Sequence, residues 1–329
     1  MAKTKNMNHG YSEGSQPKIL VVGTGAIGGF YSAKLAQAGA QVSVVCRSDY
    51  EVVKAHGIQV TSVWGDFHFA PARVLRSVEE YQDVADFILV ALKVLPEVDS
   101  VALIGAAVQP HAAIFLLQNG IDIEPPVAQA FPDNEVISGL AFICASRTAP
   151  GQVHHQDFGR LAIGRYPSGH SANAQLLGDL FTTAGVPCQV TNEVVTARWQ
   201  KLVWNAPFNP ISVLGGGVDT ESMLTCAPSA QLVRQVMTEV CLLAKATGHE
   251  LAADIIDRNM ADTLRMKPYK TSMLIDFEAG RPMEVEAILG NAVRIARRLG
   301  ISVPCLESLY GLLTLIQQRK IARPCFATD

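Results

Sequence analysis

The chain has 329 residues, of which 49% are hydrophobic and 17% charged, with a formal net charge of −3. That length is enough for a large buried core and for two domains. No excess of positive charge suggests a nucleic-acid partner or an anionic membrane surface, and no segment reaches the roughly 18 uncharged apolar residues a membrane span needs.

Residues 1–16 are polar and lack the apolar stretch of a secretory signal, so they are expected to form a disordered leader. Lys18 to Gly28 then reads K-I-L-V-V-G-T-G-A-I-G, an apolar strand running straight into a G-x-G-x-x-G turn and a helix. Gly23 suits the tight turn, Gly25 the close approach of backbone to phosphate, and Gly28 the packing of helix on strand. The loop Gly23-Thr24-Gly25-Ala26-Ile27-Gly28 would thus present a helix N-terminus, with its free N–H groups and positive dipole end, to a dinucleotide pyrophosphate. The helix ends near Gly39.

A second strand, Val42–Cys46, leads to Arg47, about two dozen residues past Gly23, where an NAD-preferring site usually carries Asp or Glu for the ribose 2′-hydroxyl. A carboxylate there would repel a 2′-phosphate, whereas Arg47 offers it a planar, permanently charged donor set, with Ser48 as a neutral partner. NADP(H) is therefore expected over NAD(H). The alternative for Arg47 is a solvated arginine at a strand end.

Further strands are expected at Phe87–Leu92, Ala113–Leu117 and Glu135–Phe142, with a hairpin over Val153–Gly159 and Arg160–Gly164 closing the domain and Val186–Val190 as an edge strand. Strands alternating with helices call for a mostly parallel sheet covered on both faces. After Thr191 the texture changes to helical periods: a helix starting at Glu193 behind Thr191 or Asn192, then Ala230–Thr247, Ala252–Arg265, Met283–Leu299 and Leu306–Arg319. Leu214-Gly215-Gly216-Gly217 is expected as a loop or hinge among them. The fold class expected is α/β, with an N-terminal Rossmann-type doubly wound parallel sheet over residues 17–191 and a C-terminal all-α domain over residues 192–329.

The seven cysteines are odd in number and scattered without C-x-x-C spacing, which fits reduced thiols in a cytoplasmic protein. His154-His155 point to opposite faces of a strand, so a surface role outweighs a metal site, and no metal is expected.

In such an arrangement ligands bind outside the carboxyl ends of the strands, in the cleft between the domains. Lys93, in A-L-K, and Asn119, in Q-N-G, sit at two such strand ends; a solvated lysine and an Asn-Gly turn are the plain alternatives. The helical part carries W-Q-K-L-V-W-N-A-P-F-N-P from Trp199 to Pro210. Lys201 and Asn205 are four apart and share a helix face, Asn209 extends the line, and Pro207 is expected to kink the helix near Asn205. On the pattern alone an amphipathic helix with a snorkelling lysine accounts for these residues as well.

Taken together, K-L-x-x-N-x-x-x-N-P after a tryptophan, G-T-G-A-I-G, Arg47, A-L-K, Q-N-G and S-M-L-I-D-F-E-A-G-R-P-M-E resemble the ketopantoate reductase family (2-dehydropantoate 2-reductase) from Lys18 to about Leu313. The resemblance implies NADPH bound by the Rossmann domain and reduction of a 2-oxo acid to a 2-hydroxy acid, with 2-dehydropantoate to pantoate, a step of pantothenate biosynthesis, as the leading reaction. It further implies Lys201 as the catalytic lysine, Asn205, Asn209, Ser272 and Asn119 as substrate-binding, Glu284 as a catalytic or cofactor-binding residue that would hold Lys201, a substrate hydroxyl or the cofactor ribose, and Lys93 and Asn119 as cleft residues beside the cofactor. The same resemblance implies Arg47 as the residue for the 2′-phosphate. A nearby ammonium stabilises charge developing on a carbonyl oxygen and donates the proton it must receive, so Lys201 is the expected general acid.

Glu284 has a surface glutamate capping a helix as its alternative, and Asp276 with Arg281 an ion pair of structural purpose. The family segment commonly reads T-E-I-D where this chain has M-E-V-E, so Met283 and Glu286 are expected to alter the pocket. Two other functions compete: a β-hydroxyacid dehydrogenase, which shares the architecture, and a non-catalytic NADPH-binding sensor. The substrate is a small molecule, and apolar helix faces admit a homodimer.

Overall fold

The computed structural model describes residues 16–322; the expected leader lies outside them but for Gln16, as does Cys325. The chain opens with strand β1 (Lys18–Val22), helix α1 (Ala26–Gln37), β2 (Gln41–Val45) and α2 (Tyr50–His56). Three strands follow that sequence periodicity did not single out: β3 (Ile58–Ser62), β4 (Phe67–Phe69) and β5 (Arg73–Leu75). Two of them are only three residues long, too short for alternation to register. Then come β6 (Phe87–Val90), α3 (Ser100–Ile104), β7 (Ala113–Leu117), α4 (Pro125–Ala130), β8 (Val136–Ala149), β9 (Gln152–Arg165), α5 (Ala172–Thr183) and β10 (Cys188–Val190).

The strands form one sheet in the order β4-β3-β9-β8-β7-β6-β1-β2-β5, with β10 beside β9. From β8 to β5 every pairing is parallel, as strands buried on both faces require. Every residue of β6 and β7 is buried. One apolar layer, with Phe30, Tyr31 and Phe181, packs beneath the sheet and another, with Ile104, Ala107 and Val127, above it. The doubly wound core is therefore as expected.

The expected hairpin at Val153–Gly164 is not present. Residues 152–165 form a single strand that pairs antiparallel with β8, and the register shifts at Phe142/Ile143. Phe158 there holds φ 59° and Gly159 φ 121°, so the glycine that reads as a turn is a bulge within a long strand. His155, expected at the surface, is fully buried; its Nδ1 lies 2.8 Å from Ser62 Oγ and its ring packs on Phe30 and Trp64.

The helical region contains α6 (Val194–Leu214), α7 (Thr220–Thr225), α8 (Ala227–Ala246), α9 (Ile255–Arg265), α10 (Ser272–Glu278), α11 (Asn291–Leu299) and α12 (Pro304–Ala322). Where one helix over Met283–Leu299 was expected, a π-helical turn, Glu286–Gly290, precedes α11. Helix α6 runs unbroken through Pro207 and Pro210. Trp199, Leu202, Val203, Ala206 and Phe208 on it anchor a second core with Met237, Leu274 and Leu289. Among the described residues no helix is long and apolar enough to cross a membrane, and the six described cysteines are free.

Candidate active site

The glycine loop joins β1 to α1 as its spacing requires. Gly23 holds φ +100°, and a Cβ on Gly28 would lie 1.8 Å from the Gly23 carbonyl oxygen, so neither position tolerates a side chain. At Gly25 an added Cβ meets nothing within 4 Å. Its lack of a side chain therefore serves nothing in the protein itself and leaves room for a ligand. No side chain caps α1, which leaves its N-terminal N–H groups, among them those of Ala26 and Ile27, for an anion.

Above this loop lies an open cleft of about 340 Å³, lined by Gly23, Thr24, Gly25, Arg47, Ser48 and Arg76. Thr24 is pinned to the next strand, its hydroxyl donating to Cys46 Sγ at 3.0 Å. Arg47 is exposed at the end of β2. Asp49, two residues on, lines the cleft but is already engaged: it is buried and accepts from Arg147 at 2.8 and 2.5 Å and from Gly151 N at 3.1 Å. The cleft thus offers a phosphate loop and a free guanidinium where a ribose-binding carboxylate would stand in an NAD site. The residues present fit NADP(H).

The second cluster forms where α6 crosses the carboxyl end of β7 and the first half of β8. Lys201 Nζ donates to Asn119 Oδ1 at 2.9 Å and to the Ala141 carbonyl at 2.7 Å. Asn119 in turn donates from Nδ2 to Glu284 Oε2 at 3.2 Å, and the other carboxylate oxygen accepts from Val94 N at 3.0 Å. Asn119, from the sheet region, joins Lys201 to Glu284, both from the helical region. An ammonium has three N–H donors, and two are spent on protein acceptors; the third remains for a ligand.

Burial brings the Lys201 ammonium down to about 7, with the Arg198 and Arg160 cations pushing the same way and Glu284 opposing them. Burial likewise raises the Glu284 carboxyl, against the hydrogen bonds from Val94 and Asn119 and the charge of Lys93 that lower it. A lysine that titrates near neutrality is matched to donating and recovering a proton at physiological pH.

Asn205 is buried and shares a small recess with Lys201, Gly120, Leu140 and Arg198. Asn209, one turn further, accepts at Oδ1 from Met273 N at 3.3 Å and lies 3.5 Å from the exposed Ser272 hydroxyl. Its Nδ2 donates back to the Asn205 carbonyl at 3.2 Å. Lys201, Asn119 and Glu284 are therefore in direct contact, Asn205 stands beside them, and Asn209 with Ser272 forms an adjoining pair.

Lys93 is not in the phosphate cleft. Its Nζ is 2.6 Å from Asp276 Oδ2 and donates to the Pro282 carbonyl at 3.1 Å, while Arg281 holds the other Asp276 oxygen at 2.9 Å. Asp276 thus ties the two parts together instead of serving Arg281 alone. Met283 and Glu286, expected to alter the pocket, line neither the phosphate cleft nor the recess beside Lys201. Met283 is 2% exposed within the helical core, and Glu286 is bound by Arg294 at 2.6 Å and Tyr310 Oη at 2.8 Å.

Arg198 and Glu124 went unnoticed in the sequence. Both are buried and form an ion pair, completed by Ser138 and by the Gln118 and Gly120 carbonyls at 2.9 and 3.0 Å. The pair fastens α6, one turn before Lys201, to the end of β7 and the start of β8. An arginine on the apolar side of a helix was the available signal, since a charge there needs a buried partner.

Known proteins share both halves. The family model for ketopantoate reductase PanE/ApbA matches residues 19–168, and that for its C terminal matches residues 193–317. A 2-dehydropantoate 2-reductase of Nostoc sp. is 36% identical over 315 residues, covering 93% of this chain and 97% of that protein. Crystal structures of 2-dehydropantoate 2-reductases from Methylococcus capsulatus (52% identity, TM-score 0.89, 94% of this chain and 100% of that one) and Geobacter metallireducens (36%, TM-score 0.86, 91% and 99%) superpose on it. The chain belongs to the ketopantoate reductase family of NADP-dependent oxidoreductases that act on CH–OH groups.

Proposed function

We propose that this chain reduces 2-dehydropantoate to pantoate with NADPH, with Lys201 as the proton donor. The supporting observation is the Lys201 ammonium, poised near neutrality with one N–H left free and held by Asn119 and the Ala141 carbonyl. Gly23, Thr24, Gly25, Ala26, Ile27 and Gly28 would hold the pyrophosphate and Arg47 the 2′-phosphate. When bound, the nicotinamide supplies the hydride.

Lys201 stabilises the charge that develops on the substrate carbonyl oxygen and transfers its proton there, ending as a neutral amine that solvent reprotonates. The free Lys201 N–H is the group that approaches this oxygen. Asn119 and Glu284 keep the ammonium oriented, and the Glu284 charge favours its protonated form. Asn205, Asn209 and Ser272 orient the substrate by neutral hydrogen bonds that do not compete for the proton. Lys93 acts at a distance, through Asp276 and its charge on Glu284.

The working units are residues 17–191 and 192–329, meeting at the Lys201–Asn119 contact. Free thiols and the lack of a spanning helix among the described residues suit a cytoplasmic enzyme. Leu312 and Leu315, about half exposed on α12, give a second copy an apolar surface to bury in a homodimer.

A panel of 2-oxo acids assayed with NADPH and NADH side by side tests the reading. NADPH-dependent turnover, highest with 2-dehydropantoate, is the expected result. Oxidation of 3-hydroxy acids instead would make the chain a β-hydroxyacid dehydrogenase, and cofactor binding with no turnover across the panel would make it a sensor.

A further inference from the structure

Strand β5 delivers a second arginine to the cofactor cleft. β2 and β5 are parallel with Val45 opposite Leu75, so Arg47 and Arg76 leave neighbouring strand ends on the same edge of the sheet. Both line the cleft floored by Gly23 and Gly25, together with Ser48 and Ser77.

Arg76 is exposed but held on two sides. Its guanidinium lies 3.9 Å over the Tyr50 ring and is ion-paired to Glu51, so two residues at the start of α2 fix its plane. Its backbone N–H is held by Glu80 Oε2 at 3.0 Å. A guanidinium has five N–H donors, and the Glu51 contact, made through one nitrogen, leaves others directed elsewhere. Of the cleft's carboxylates, Asp49 is committed to Arg147 and Gly151, and Glu79 is solvent-exposed and hydrogen-bonded by Ser77.

Resting on the NADPH reading above, we propose that Arg76 is a specificity-determining residue. With Arg47 it closes a two-guanidinium cradle around the ribose 2′-phosphate and so separates NADPH from NADH. A phosphate monoester carries a charge near −2 on three strong acceptor oxygens, more than one guanidinium satisfies. Two forks approaching from adjacent strand ends saturate it, and the Tyr50 platform holds the second fork ready before the ligand arrives.

The test is isothermal titration of the full chain and of Arg76→Ala and Arg76→Gln with 2′-AMP and 5′-AMP, which share adenine and ribose and differ in where the phosphate sits. Both variants are expected to weaken 2′-AMP about tenfold, the scale of one charge-assisted contact at a partly exposed site, and to change 5′-AMP by less than twofold. Equal weakening of both nucleotides would assign Arg76 to adenine stacking and overturn the proposal, as would no change in either. A wild-type chain that binds 2′-AMP no more tightly than 5′-AMP would instead defeat the NADPH reading itself.

Discussion

Lys201 carries the most exacting consequence of the site. Its ammonium is brought from 10.5 to about 7, which corresponds to a penalty on the order of 5 kcal/mol for keeping the charge in place. Reduction needs the protonated form, so the reductive kcat is expected to be level below about pH 7 and to fall tenfold per unit above it, to about a hundredth by pH 9. Oxidation of the 2-hydroxy acid needs the neutral amine and should rise over the same interval. Glu284 is the one charge among the causes that raises Lys201; Glu284→Gln should therefore move the reductive inflection to lower pH. The assay is NADPH consumption or formation at saturating substrate from pH 5.5 to 9.5. A reductive rate that stays level to pH 9 would refute the reasoning, and so would an inflection shifted upward by Glu284→Gln.

Other consequences separate the roles of single residues. Gly25→Ala should leave the melting temperature unchanged while sharply weakening NADPH, because its Cβ meets only the space reserved for the ligand; Gly28→Ala, forced against the Gly23 carbonyl oxygen, should lower both. A fall in thermal stability on Gly25→Ala would count against the cradle. Arg198→Met strands Glu124 in the interior and should destabilise the fold by about 3 kcal/mol by chemical denaturation, whereas Arg198→Met with Glu124→Met should recover most of that loss. The single variant also removes a cation beside Lys201 and should shift the reductive inflection upward. Ser272→Ala, at an exposed hydroxyl beside Asn209, should raise KM for the 2-oxo acid about tenfold with little change in the dissociation constant of NADPH.

The phosphate loop was legible because backbone constraint is written directly into glycine spacing: Gly23 and Gly28 are required by sterics that any reader of G-x-G-x-x-G can infer. The Lys201-Asn205-Asn209 line was legible because helical spacing survives even two prolines. Arg76 was not, since β5 has only three residues and its pairing with β2 is a tertiary event. The supposed hairpin failed for a related reason: Gly159 looks the same in sequence whether it turns the chain or bulges a long strand, and only the partner strand β8 decides. Lys93 was legible as a strand-end lysine at the cleft, but its ion-pair partner was not. Its strand-end position follows from A-L-K, but Asp276, 183 residues later in the chain, is brought to it only by the packing of the two parts. Met283 and Glu286 differ from the common family pattern yet face the core and an ion-pair network, so departures in sequence need not be departures at the site.

The proton-donor role of Lys201 is tested most directly by pre-steady-state single turnover of Lys201→Ala with NADPH and 2-dehydropantoate, alongside calorimetric titration of NADPH. Hydride transfer slowed by about a hundredfold to ten-thousandfold, with NADPH affinity within a factor of about two of wild type, is the expected outcome. Single-turnover rates in the variant equal to wild type would contradict the assignment and move the proton donor to another group.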